Sequence, residues 1–164
     1  LYLSHHHPDR VQRAVVIAPV CYPPPRRPAL AYPGVPLLAR HMPRRALIRG
    51  GLRGACGHPR HITRALLDEY TAAAKRPDFL QSLTGLARQY FSDAYHQMCG
   101  NHAALRVPLL ILWGERDAWL PADYGERLHG EVPGAELHLL DAGHMVHQER
   151  ADRVNALLAS FLTQ

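Results

Sequence analysis

Two residues stand where catalytic side chains are useful. Asp117 lies four residues past the apolar run Leu109-Leu110-Ile111-Leu112-Trp113, and His144 lies four residues past the run Leu137-His138-Leu139-Leu140. Parallel α/β sheets gather their ligands at the carboxyl ends of the strands, where the loops converge. If the two runs are neighbouring strands, a carboxylate and an imidazole emerge side by side. An aspartate that accepts a hydrogen bond from one ring nitrogen fixes the tautomer and stabilises the imidazolium, leaving the other nitrogen free to take a proton. That is the orienter and base of a nucleophilic triad. Gly143 lets the backbone turn sharply just before His144.

Other residues of the right type have weaker placements. His147 lacks a preceding glycine and is expected in the first turn of the last helix. Asp123 reads as a charge at a helix N-terminus, and Asp141 sits before the turn rather than beyond it. His5-His6-His7 are adjacent, so on a helix they point in different directions, and no acid or histidine at ligand spacing joins them to make a metal site. Cys21, Cys56 and Cys99 are widely spaced and odd in number, which indicates neither a disulfide framework nor a CxxC centre. A reducing compartment, the cytoplasm, is the expectation.

These side chains need a scaffold, and the apolar pattern supplies one. Val11 to Ala18, with Val15, Val16 and Ile17 consecutive, has the pattern of a strand covered on both faces. The five prolines of Pro19 to Pro28 then form a boundary. From Tyr22 to about Gly100 the patterns are helical. Leu37 to Leu52 predicts a weak helix interrupted at Pro43 and ended by Gly50-Gly51. His61 to Lys75 predicts a better one, and Asp78 to Tyr95 the best, with Asp78 at its start. Strand Leu109 to Trp113, helix Pro121 to Glu131, strand Glu136 to Leu140 and helix Ala151 to Leu162 complete the chain. Their alternation predicts parallel α/β architecture.

Composition is that of a globular domain, 164 residues with 47% hydrophobic and 20% charged, which excludes disordered and collagen-like classes. No apolar run approaches the roughly 20 residues of a membrane span. The net charge of +5 is uneven, with nine arginines and no acid between Arg26 and Arg64. That stretch suits either anionic substrates and acidic surfaces or a solvated helical face, in a chain whose only lysine is Lys75. Tyr32 is its only aromatic, so nucleic-acid binding is not expected.

A resemblance now emerges. Leu109-Leu110-Ile111-Leu112-Trp113-Gly114-Glu115-Arg116-Asp117 with Pro121 resembles the acid-bearing strand and loop of α/β-hydrolases. Asp141-Ala142-Gly143-His144 with Glu149 resembles their histidine loop and last helix, although Glu149-Arg150-Ala151 lacks the proline that many relatives carry there. His7-Pro8-Asp9-Arg10-Val11 followed by Val15 to Ala18 resembles the stretch after their nucleophile helix. The resemblance implies the C-terminal portion of an α/β-hydrolase sheet, three parallel strands with flanking helices, from residues 1–20 and 101–164. Residues 21–100 would be a helical cap.

It also implies a nucleophile in a Gly-x-Ser-x-Gly elbow, about six residues upstream of Leu1 by the family's usual spacing. None of Ser4, Ser82, Ser92 and Ser160 has the flanking glycines. The expected function is a hydrolase acting on an ester-like small molecule with no dissociable cofactor, Asp117 and His144 being catalytic. The 164 residues alone are expected to be inactive, with the strand Val11 to Ala18 left as an unpaired apolar edge. An alternative is an epoxide hydrolase or dehalogenase with an Asp nucleophile, for which the cap tyrosines Tyr70, Tyr90 and Tyr95 are candidate acids. A further alternative, of another class, is a non-catalytic small-molecule-binding or inactive product.

Overall fold

A computed structural model describes residues 1–23, 29, 32–89 and 101–163. Strands β1 (Ala14–Ile17), β2 (Leu109–Gly114) and β3 (Glu136–Leu140) form one parallel sheet in the order β1-β2-β3. The register pairs Ala14 with Leu109 and Ile17 with Leu112 on one side of β2, and Leu110 with Glu136 and Gly114 with Leu140 on the other. The strand expected from Val11 to Ala18 is therefore shorter. Its first residues follow a 3-10 turn at Pro8–Arg10, and Ala18 leaves the strand with φ 42°.

The central strand shows why a continuous apolar run belongs here. Every residue of β2 is buried. Successive side chains alternate between faces. Leu109, Ile111 and Trp113 enter one core with Leu128 and Val132 of α6 (Asp123–Glu131) or its end, whereas Leu110 and Leu112 enter a second with Val154 and Phe161 of α8 (Ala151–Leu162). Val154, Leu157, Leu158 and Phe161, spaced i, i+3, i+4 and i+7, turn the apolar stripe of α8 to this core, and the bounds of α8 coincide with the expected helix. The short helix α1 (Tyr2–His6) precedes β1, and another, α7 (Val146–Glu149), precedes α8.

All elements described between β1 and β2 are helical. They are α2 (Val35–Ala39), α3 (Arg44–Ala55), α4 (Arg64–Ala73), α5 (Phe79–Gln89) and short 3-10 turns. Thr63 caps α4, its hydroxyl accepting from the Leu66 N–H at 3.1 Å. The helix expected over Leu37 to Leu52 is two helices, and the second runs through Gly50-Gly51 to Ala55. Two glycines weaken a helix by about 1 kcal/mol each. Leu52 and Ala55, buried with Leu67 and Met145, hold the chain helical past them. Asp78 directly precedes α5, at the expected start of the helix, and Arg76 contacts its carboxylate at 3.3 and 3.4 Å.

The two places where the chain leaves and re-enters the sheet layer are tied to one carboxylate. Tyr22, soon after β1, donates its hydroxyl to Glu131 Oε2 at 2.8 Å, and His102, shortly before β2, meets the same oxygen through Nδ1 at 2.9 Å. Arg127 holds Oε1 at 2.7 Å and lies over the Tyr22 ring. Burial works against ionising Glu131, but the hydrogen bonds from Arg127, His102 and Tyr22 outweigh it and hold the carboxyl down at about 2. Burial, and the bond to Glu131, push the Tyr22 phenol up.

Candidate active site

Because β2 and β3 are adjacent and parallel, their carboxyl ends open side by side, and the loops beyond them are laced together. Glu115 N–H donates to Leu140 O and Arg116 N–H to Ala142 O, both at 2.9 Å. The lacing requires close backbone approach. A Cβ on Gly114 would lie 2.1 Å from Gly143 O, and one on Gly143 would lie 2.3 Å from Gly57 N. Gly143 has no positive φ. Its glycine is demanded by the crossing of three backbone segments, not by the sharp turn that the sequence suggests.

Asp117 is turned inward from its loop, with a fully buried side chain. Oδ1 accepts the Trp119 and Leu120 N–H groups, each at 2.9 Å, and Oδ2 meets His144 Nδ1 at 2.8 Å. Trp113 braces this loop from below, donating its indole N–H to Leu120 O at 2.9 Å. A carboxylate can only accept, so the proton between Asp117 and His144 belongs to Nδ1. Nε2 is then the lone-pair nitrogen. The His144 side chain is 24% exposed and lies against the Trp119 ring, with centroids 5.1 Å apart. Such an imidazole can take a proton from a neighbouring hydroxyl or water and return it to a leaving group.

The rival residues sit elsewhere. Asp141 spends Oδ1 on His58 and Arg116 at 3.0 and 2.7 Å, and Oδ2 on Arg150 at 2.7 Å. Its carboxyl is lowered by the His58 hydrogen bond first and by the two arginines. Asp123 is exposed at the start of α6, and His147 is exposed in α7, a separate short helix rather than the first turn of α8. Tyr70 accepts from Gln148 Nε2 at 3.1 Å, whereas Tyr90 and Tyr95 lie outside the described residues. Among the described residues no group of three or more His, Cys, Asp or Glu side chains is disposed to hold a metal ion.

Spacing does not reveal Glu149. Its side chain is buried and accepts three backbone N–H groups. Oε1 takes Gly57 at 3.0 Å and Gly143 at 2.8 Å, and Oε2 takes His58 at 3.0 Å. One carboxylate thus joins the loop after α3 to the residue preceding His144. Met145 N–H to Ala55 O at 3.3 Å, and Met145 Sδ to Cys56 Sγ at 3.9 Å, extend the same seam. Burial, with the Glu149 charge beside it, pushes the Cys56 thiol up. The glycine before His144 and the acid six residues beyond it were the only signals, and they identify a family pattern rather than a contact. Trp119 had no signal at all. Its indole nitrogen would lie 2.8 Å from a Cβ on Gly54, so the end of α3 fits directly against it.

The chain matches the alpha/beta hydrolase family over residues 2–157. It is similar to a 2-hydroxy-6-oxononadienedioate/2-hydroxy-6-oxononatrienedioate hydrolase of Burkholderia vietnamiensis, 35% identical over 86 residues, which are 52% of this chain and 28% of that protein. Its fold is similar to the enol-lactonase of Burkholderia xenovorans, with TM-score 0.77 and 22% identity over 99% of this chain and 60% of that one. It is also similar to the 2-hydroxy-6-oxo-6-phenylhexa-2,4-dienoate hydrolase of Rhodococcus, with TM-score 0.76 and 19% identity over 99% and 59%. The matched stretch therefore spans only 28% of the length of that curated relative. The match across nearly all of its length, on a three-stranded parallel sheet with flanking helices, places the chain in the alpha/beta hydrolase family.

Proposed function

We propose that Asp117 and His144 are the orienter and base of a hydrolase that attacks a carbonyl of a small molecule, with a nucleophile supplied from outside these 164 residues. His144 removes the proton of that nucleophile through Nε2, then delivers it to the leaving group, and Asp117 steadies the imidazolium between the two steps. The observation that carries this reading is the 2.8 Å contact between a fully buried Asp117 carboxylate and a partly exposed His144 ring. Residues 1–20 and 101–164 form the catalytic layer, and residues 21–100 act as a cap whose α3 end rests on Trp119 and on the histidine loop. No helix among the described residues is long and apolar enough to cross a membrane. We place the enzyme in the cytoplasm, acting on a diffusible substrate without a dissociable cofactor.

The name of the Burkholderia vietnamiensis relative makes 2-hydroxy-6-oxo-dienoates the first substrates to try, with p-nitrophenyl acetate as a general acyl probe. The full-length protein is expected to turn over at least one of the two, and His144→Ala to abolish that turnover. Unchanged turnover in His144→Ala would refute the assignment of the base. Covalent trapping of the intermediate, followed by peptide mapping, decides between a serine and an aspartate nucleophile.

A further inference from the structure

The arginine-rich stretch is not consumed by the site described above. Arg45, Arg49 and Arg53 repeat every fourth residue of α3, so they share one face of the helix at steps of about 6 Å. With Arg64, at the start of α4, they line a groove of about 590 Å³ between the two helices. Its remaining lining is mainly apolar and includes Pro59, Ile62 and Leu67. Asp68 is paired with both Arg45 and Arg64. Arg49 and Arg53 have no acidic partner among the described residues.

A merely solvated helical face is convex, and its guanidinium groups diverge into water. Here four guanidinium groups border a concavity with apolar lining, at the N-terminal, positive end of α4. The volume is that of a small-molecule site. Among the described residues no aromatic side chain lines the groove for bases to stack on, which argues against a nucleic-acid strand.

We propose that this groove binds a small organic carboxylate with an apolar body, its anionic group held by Arg49 and Arg53 and its body seated on Ile62 and Leu67. Guanidinium groups suit this role because their planar forks match carboxylate geometry. Neither Asp117 nor His144 lines the groove, and its occupancy is measured without turnover, so the proposal stands or falls independently of the proposed chemistry. Cys56 belongs both to the groove lining and to the contact with Met145, next to His144.

Calorimetric titration of the full-length protein with 2-naphthoate, and separately with neutral 2-naphthamide, tests the proposal. The carboxylate is expected to bind at least about tenfold more tightly than the amide, as a charge-assisted hydrogen bond allows. The double variant Arg49→Gln/Arg53→Gln should weaken naphthoate by about tenfold or more. Both arginines are exposed, so that variant should keep the wild-type melting temperature. Arg153→Gln, an exposed arginine on α8, should leave the affinity unchanged. Equal affinity for the amide, wild-type affinity in the double variant, or equal weakening by Arg153→Gln would each overturn the site.

Discussion

Replacing Glu149 by glutamine alters the seam behind His144 by a single atom. The carboxylate receives two N–H groups on Oε1 and one on Oε2, all within 3.0 Å. A glutamine can keep its carbonyl oxygen toward Gly57 and Gly143. Its amide nitrogen then faces the His58 N–H, donor against donor. One charge-assisted hydrogen bond is lost in a buried setting, costing about 1.5–3 kcal/mol. At about 2–4 °C per kcal/mol for chains of 150–250 residues, the melting temperature should fall by about 3–12 °C. Gly143 directly precedes His144, so the loosened loop also displaces the imidazole from Asp117. Small misplacements of a catalytic group carry large rate penalties, and kcat should fall by about tenfold or more while KM changes little. Thermal melts and steady-state kinetics of the full-length protein measure both effects. A Glu149→Gln protein with wild-type melting temperature and kcat would refute the claim that this carboxylate sets the histidine loop.

Other perturbations probe separate parts of the structure. Gly143→Ala places a methyl group 2.3 Å from Gly57 N and 2.4 Å from Ala55 O, both backbone atoms that cannot swing aside. It should destabilise by about 3 kcal/mol or more, read by urea unfolding. The folded value of Glu131, about 2, lies below its ordinary 4.5, so its contribution is complete above pH 4.5 and is lost as pH falls toward 2. With a third of the side chain exposed, solvent screening limits that contribution to about 1–2 kcal/mol. Tyr22 titrates above its ordinary 10.0, so its contribution is complete below pH 10 and is lost as pH rises beyond it. Stability curves of Glu131→Gln and Tyr22→Phe should therefore each flatten at one pH extreme, acid for the first and alkaline for the second. Finally, the 164-residue chain alone should hydrolyse p-nitrophenyl acetate no faster than its His144→Ala variant.

What the sequence made legible was local. Five apolar residues in a row, Leu109 to Trp113, announce β2, and the four-residue steps from that run to Asp117 and from Leu140 to His144 announce the pair, because strand ends and the loops after them are short-range features. Gly50-Gly51 misled, since a propensity cost of about 1 kcal/mol per residue is overridden when Leu52 and Ala55 have a core to enter. Gly143 was singled out for the wrong reason. Its neighbours Gly57 and Ala55 are more than 80 positions away, and no local pattern encodes their approach. Glu149 is invisible as an anchor for the same reason, its partners being backbone groups that any residue type offers. Tyr22 and His102 meet at Glu131 from opposite ends of the helical segment, a convergence that only the fold creates.

The central claim is that Asp117 orients His144 as the catalytic base, and Asp117→Asn in the full-length protein tests it most directly. An asparagine keeps the shape, but it can present an N–H to Nδ1 and leave the ring proton on Nε2, the nitrogen that must accept. In this account kcat falls by about 10⁴ with KM little changed. Retention of kcat within a few-fold of wild type would contradict it.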